Sequence, residues 1–263
     1  MRFGASLRTV GNGNIWFMRL ETATIPATAK TQVARRRPHG FYVAMAIAAN
    51  AVVLAGFAGR YYFLPAAGKA ALPWIIHLHA TVFSAWMLLF LVQTTLVTAG
   101  RADIHRKLGI AGAVLAALMV PLGVRVTIQG GRDGWAPGGA PDSLAFMVIG
   151  MGDMILFTGF VVAGLYFRRR SETHKRLMLS AVIGGLMWPA ITRIPHVAGN
   201  LFAMFGLLAL LVVAGPVFDL LAFRRVTGLD VWSGLLILGS LPARMAIAHT
   251  QWWHSFAAWL AGY

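Results

Sequence analysis

An aspartate inside an uninterrupted apolar run is the residue that most needs a chemical explanation. Asp153 lies in Met151-Gly-Asp-Met-Ile-Leu-Phe157, where a carboxylate is costly unless it is paired or protonated. Two readings are open. Asp153 is a functional group, relaying protons or serving as a ligand or countercharge, or it makes a structural contact to Arg125, Arg193 or a hydroxyl on a neighbouring helix.

Histidines are the second chemical signal. His77 and His79 stand two residues apart, and His196, His249 and His254 follow later in the chain. A b-type haem needs an imidazole on each face of the iron within a dry helical bundle. His77, His79 and His196 are therefore the candidate ligands for haem b or a bound metal ion. On a regular helix residues two apart point about 200° from each other, so His77 and His79 do not both ligate one metal unless the helix start is irregular. His105 and His174 sit among Arg and Lys and read as contacts to lipid phosphate, with an inner haem as the alternative.

Arginine supplies the third signal. Arg125 and Arg193 each stand four residues beyond a proline, Pro121 and Pro189. They either snorkel to headgroups or bind an anion such as a haem propionate, a quinone head group or a lipid phosphate. Arg244, after Pro242, is a candidate third member. No Walker motif, dinucleotide-binding glycine pattern, H-E-x-x-H helix or G-x-S-x-G elbow occurs, so nothing supports nucleotide hydrolysis or the commoner hydrolase chemistries. Without cysteine, thiolate metal sites and disulfides are excluded.

The elements that must position these residues are membrane helices. Of 263 residues 58% are hydrophobic and 12% charged, and the mean hydropathy is +0.70, far from soluble domains. Bilayer hydrocarbon offers no partner to backbone groups, so apolar segments of this length form helices. Spans are expected near 41–59, 74–99, 108–129, 144–167, 177–193, 197–222 and 231–249, the fifth short and the seventh weak. The expected fold is thus an all-α polytopic bundle of about seven spans, residues 40–263, behind a flexible basic arm, residues 1–39. Gly130 to Asp142 reads as a flexible loop, and the aromatic stretch from Gln251 to Tyr263 as a segment at the outer interface. Trp74, Trp86, Trp188, Trp232, Trp252 and Trp253 read mostly as interface anchors.

A net charge of +15 would suggest nucleic acid in a soluble protein. Here the basic residues fall mostly in loops, and the partner they imply is the lipid bilayer. Seventeen Lys and Arg lie on one set of alternating segments and six on the other, which places the N-terminus in the cytoplasm and the C-terminus outside. A repeat is also visible: His105-Arg-Lys-Leu108 and His174-Lys-Arg-Leu177 begin at a 69-residue offset, and Pro121/Arg125 and Pro189/Arg193 at 68. It reads as a parallel repeat of helix hairpins, spans two-three and four-five.

The stretch His77-Leu-His79-Ala-Thr-Val-Phe-Ser-Ala-Trp86, with Gln93, Asp103-Ile-His105-Arg-Lys-Leu-Gly109 and Leu241-Pro-Ala-Arg244, resembles a family of uncharacterised bacterial inner-membrane proteins. That resemblance implies a multi-pass inner-membrane location and no established activity. The paired loop histidines also give a distant architectural similarity to b-type cytochrome bundles, although the 69-residue offset from His77 and His79 lands on Phe146 and Val148. Two functions are expected on these grounds. One is a redox-linked protein holding haem or a metal through His77, His79 and His196; the other is a non-catalytic assembly factor or small transporter with a polar cavity around Asp153, acting with a membrane-protein partner or as a homo-oligomer. Topology is the directly testable part: a reporter active only in the cytoplasm is expected to be silent when fused after Tyr263, and activity there would overturn the seven-span orientation.

Overall fold

A computed structural model describes residues 38–66, 72–135 and 142–263. The arm at 1–37 with Arg35, Arg36 and Arg37, the segment around Lys69 and residues 136–141 of the expected Gly130–Asp142 loop lie outside the described residues, while Gly130 to Arg132 belong to a helix rather than to that loop. What is described belongs to one unit, Arg36–Tyr263.

Helices begin and end where local chemistry requires it. The first, α1 (His39–Phe57), follows Pro38 and continues through a π-helical turn, Ala58–Tyr62; α2 (Trp74–Thr98) follows Pro73. Proline is tolerated there because the first turn has no use for its missing N–H. Next come α3 (Ala102–Arg132), α4 (Ser143–Tyr166), α5 (Ser171–Ile191), α6 (Leu201–Phe223), α7 (Gly228–Ala248) and the short α8 (Gln251–Ala261). Side-chain caps open three of them: Asp142 accepts from Ala145 N at 2.9 Å, Asn200 from Ala203 N at 3.1 Å and Thr250 from Trp253 N at 3.2 Å. Arg224 and Gly262 close α6 and α8 in the left-handed region, at φ 57° and 82°.

Six of these helices, α1 with its π-helical turn, α2, α3, α4, α6 and α7, are long and apolar enough to cross a membrane. Residues 231–249, weak by sequence, thus qualify as part of α7. It is α5 that falls short, because its first turns carry Glu172, His174, Lys175 and Arg176. Yet α5 is the most buried helix, with nearly every side chain from Arg176 to Ile191 packed inside. It contacts α1, α4, α6 and α7. A helix shielded by its neighbours meets protein rather than lipid, so its composition is free to depart from that of a lipid-facing span.

Close packing around α5 depends on glycine. A Cβ at Gly185 would overlap Phe157 and crowd the Asp153 carbonyl, and one at Gly56 would overlap the Ala190 carbonyl. Small residues let α4 and α1 approach α5 where no hydrophobic effect drives helices together. By contrast α6 presents Phe202, Leu210, Val217 and Leu221 outward, as expected of a lipid-facing surface. Tryptophan divides the same way: Trp74, Trp232 and Trp252 are exposed, but Trp86, Trp188 and Trp253 are buried packing residues rather than anchors. Trp86 meets Phe157 edge-on at 5.2 Å.

One polar cluster ties three helices together. Arg176 of α5 donates to Asp219 of α6 at 2.8 Å, to Thr227 Oγ1 at 3.1 Å and to Asp230 of α7. Both aspartates and the arginine are buried, so each charge depends on the others for solvation. Arg176→Leu is expected to destabilise the protein by about 3–5 kcal/mol, seen as a marked fall in thermal unfolding midpoint in detergent. An unchanged midpoint would show that the cluster holds nothing in place.

Candidate functional site

The bundle contains a cavity of about 490 Å³. It is walled by the end of α1 and its π-helical turn, the first half of α2, the later part of α3, the first half of α4 and the end of α5. All five contributions come from the half of the bundle that holds Tyr62, Trp74 and Arg132. Gly123, Gly131 and Gly150 let α3 and α4 approach closely along this wall, since a Cβ there would overlap Met154, Met147 and Thr127 respectively. Pro189, also in the wall, lacks the N–H that would bond the Gly185 carbonyl, so the lining backbone carries an acceptor without its usual helical donor. Most of the surface is apolar and aromatic, with Phe57, Phe83, Phe146 and Trp188 among the lining residues.

Asp153 lines this cavity about 15 Å along α4 from Ser143, at 1.5 Å per residue. Its partner is none of the groups expected from sequence. Arg244, on α7, donates to Asp153 Oδ1 at 2.7 Å and from the same nitrogen to the Ile149 carbonyl at 2.7 Å. Ser240 holds the rest of the guanidinium, its hydroxyl at 3.0 Å and its carbonyl at 3.3 Å. Gly152 makes the approach feasible, because a Cβ there would overlap the Arg244 side chain. Asp153 is 1% exposed, and its Oδ2 has no hydrogen-bond partner. A buried carboxylate oxygen left in this state is an acceptor awaiting a donor.

The expected histidine set separates. His79 lines the cavity, lies against Phe83 with ring centroids 3.9 Å apart, and keeps a buried Nδ1 without a hydrogen-bond partner. His77 turns away to the Tyr61 hydroxyl, 3.1 Å from its Nδ1, as a spacing of two on a regular helix requires. His196 is exposed in the turn between α5 and α6, at φ 65°, outside the cavity wall. Among the described residues no cluster of three or more His, Asp or Glu could hold a metal ion. At the opposite half, His105 and His174 do approach, with ring centroids 6.3 Å apart, and His174 Nδ1 lies 2.8 Å from the Gly164 carbonyl. His254 pairs instead with Asp142 at 3.1 Å, and His249 is exposed.

The two repeat-related arginines also part. Arg193 lines the cavity, donates to the Pro189 carbonyl at 2.7 Å and stands 5.3 Å from the Phe57 ring centre. Arg125 is exposed on α3 and donates to Gln129 at 2.8 Å, which donates in turn to Asp133. The reason is helix length: α3 runs on to Arg132, whereas α5 ends at Ile191 and releases Arg193 into a turn. Arg60, in the π-helical turn, is the second arginine of the cavity wall, and nothing in sequence spacing marked it.

No family model matches the chain, and comparison with curated proteins and with solved structures gives no match. The site therefore speaks through its own chemistry. Removing one member of a buried ion pair leaves an uncompensated charge, whereas removing both does not. Arg244→Met is expected to cost about 3–5 kcal/mol, and the double variant Asp153→Leu/Arg244→Met to recover most of that loss. Thermal midpoints of the four proteins measure it, and purely additive effects would refute the coupling.

Proposed function

We propose that this protein is a non-catalytic membrane binding module, an assembly factor or small transporter, whose cavity takes the polar head of an amphipathic small molecule. The observation that carries this reading is that Asp153, His79 and Arg193 line one largely apolar cavity, the first two each with a buried polar atom that has no hydrogen-bond partner. Apolar walls with a few placed polar groups are the usual makeup of small-molecule sites. A carboxylate inside a bundle gains meaning when it faces such a space, because its unused oxygen then selects what enters.

The proposal includes a topology. Seven helices cross, with α5 as the seventh, sheltered by the six apolar ones, and α8 rests at the outer interface of a bacterial inner membrane with the N-terminus in the cytoplasm. The basic bias of alternating segments supports this orientation, which places the cavity in the outer half. The hairpins α2–α3 and α4–α5 form the parallel repeat, supported by their matched His-basic openings and Pro121/Pro189.

A second reading rests on His79. Its uncommitted ring nitrogen suits an axial ligand to haem b, and Arg60 and Arg193 suit propionates. This reading uses one histidine of the expected three and predicts a coloured protein.

One preparation separates the two. Protein purified in mild detergent from haem-replete bacterial cells is expected to give no b-type reduced-minus-oxidised spectrum and to carry an amphiphile detectable by native mass spectrometry. Ala80→Trp, which fills the cavity wall, is expected to lose that mass, and Leu236→Trp, exposed on α7, to keep it. A b-type spectrum abolished by His79→Ala would establish the second reading instead. An amphiphile retained equally by both tryptophan variants would place binding outside the cavity and overturn the first.

A further inference from the structure

The polar groups of the cavity make two demands that few head groups satisfy together. We infer that the cavity recognises a phosphomonoester group in its singly protonated form, presented by a lipid or as free phosphate. The inference rests on the ligand-binding reading above and names the chemistry of the head.

The first demand is for a hydrogen. Asp153 Oδ1 is held by Arg244 at 2.7 Å, and Oδ2 is buried without a partner. The guanidinium at 2.7 Å favours the ionised carboxylate, which only accepts, so a ligand atom that reaches Oδ2 must carry a proton. The second demand is for negative charge. Arg244 balances Asp153, and among the described residues the cavity wall has no other carboxylate. Arg60 and Arg193 line the same wall, and neither forms an ion pair among the described residues. Asp153, His79, Arg60 and Arg193 thus line one cavity.

Common head groups fail one demand or the other. A carboxylate, a sulfate ester or the phosphate of a diester is anionic but has no proton to give at neutral pH, and a diester supplies a hydrogen only from a hydroxyl several bonds away from its charge. An alcohol or an amide gives a hydrogen but carries no charge. A phosphomonoester does both, because its second ionisation falls near pH 6 and a fraction retains its P–OH at neutral pH. A buried acceptor draws that fraction in, and the remaining oxygens accept from guanidinium, whose fork suits phosphate. His79 completes the set, since its ring can present an N–H to a third oxygen.

The test uses the full chain in phosphatidylcholine nanodiscs. Phosphatidic acid, a monoester, and phosphatidylmethanol, a diester without a head-group hydroxyl, are compared as guests by native mass spectrometry, and inorganic phosphate and sulfate are titrated by calorimetry. Preference for phosphatidic acid over phosphatidylmethanol, and for phosphate over sulfate, is expected to be about tenfold or more, the scale of one charge-assisted hydrogen bond gained and one buried acceptor satisfied. Tight binding of phosphatidic acid with weak phosphate identifies a lipid source; tight phosphate with no gain from the lipid identifies the free ion.

Two variants probe the mechanism. Arg193→Gln is expected to weaken monoester binding about tenfold. Asp153→Asn retains an acceptor for Arg244 but replaces the Oδ2 acceptor with an amide donor, so the preference for a protonated head is expected to vanish and phosphatidylmethanol and sulfate to bind as well as their counterparts. Should Asp153→Asn fail to fold, the selectivity of the unaltered protein decides alone. Equal affinity for monoester and diester in that protein, or unchanged selectivity in a folded Asp153→Asn, would overturn the inference. A co-purified amphiphile without phosphate that phosphatidic acid does not displace would also overturn it while leaving the ligand-binding reading intact; no ligand from any source would remove both.

Discussion

Charge inside a helical membrane bundle has to be cancelled where it stands, and the Asp153–Arg244 ion pair is where this protein meets that constraint. Neither partner is tolerable alone at this depth, because the desolvation of a buried ion is offset only by a close opposite charge and further hydrogen bonds. The geometry supplies both. Arg244 spends its donors on Asp153 Oδ1, the Ile149 carbonyl and Ser240, which leaves Asp153 Oδ2 as the one polar atom of the pair without a protein partner. An ion pair of this kind fixes α7 against α4 and at the same time leaves one unsatisfied acceptor on a residue of the cavity wall.

The pair works together with a second polar tie at the other end of α7. There Asp230 meets Arg176 of α5, with Asp219 of α6 alongside. Since α7 is held to α4 near Arg244 and to α5 near Asp230, its register is set at both ends by groups that cannot slide without leaving a buried charge unmatched. Apolar packing alone would not do this, because lipid tails compete on equal terms with leucine for a helix surface. Between the two ties, the glycine contacts of α5 with α1 and α4 supply the close van der Waals approach.

The cavity follows from the same arrangement. With α4 drawn toward α7 by Arg244, toward α5 at Gly185 and toward α3 at Gly123, Gly131 and Gly150, the halves of α2, α3 and α4 nearest Trp135 enclose the cavity. α8 buttresses this end: Trp253 Nε1 donates to the Leu144 carbonyl at 3.0 Å and the Tyr263 hydroxyl to the Arg132 carbonyl at 2.8 Å. These bonds serve carbonyls at the start of α4 and the end of α3, next to wall residues Ser143 and Gly131.

Sequence by itself determined that the chain is helical, where most helices run, and that Asp153 is the residue to explain. Those conclusions follow from hydropathy and length, which act locally and survive any packing. It also located the short terminal segment, now α8, and placed His105 near His174. What it could not determine was partnership. Arg244 stands far from Asp153 in the chain, and only the crossing of α7 over Gly152 identifies it rather than Arg125 or Arg193 as the partner. Arg125 and Arg193 look equivalent by their distance from proline, but α3 continues past one while α5 stops before the other. Burial of α5 was hidden for the same reason: composition reports what a segment prefers, whereas shielding by α1, α4, α6 and α7 decides what it meets. Which of the histidines faces the cavity, and that Arg60 joins Arg193 there, were settled by helix rotation and the π-helical turn, tertiary quantities that no local spacing encodes.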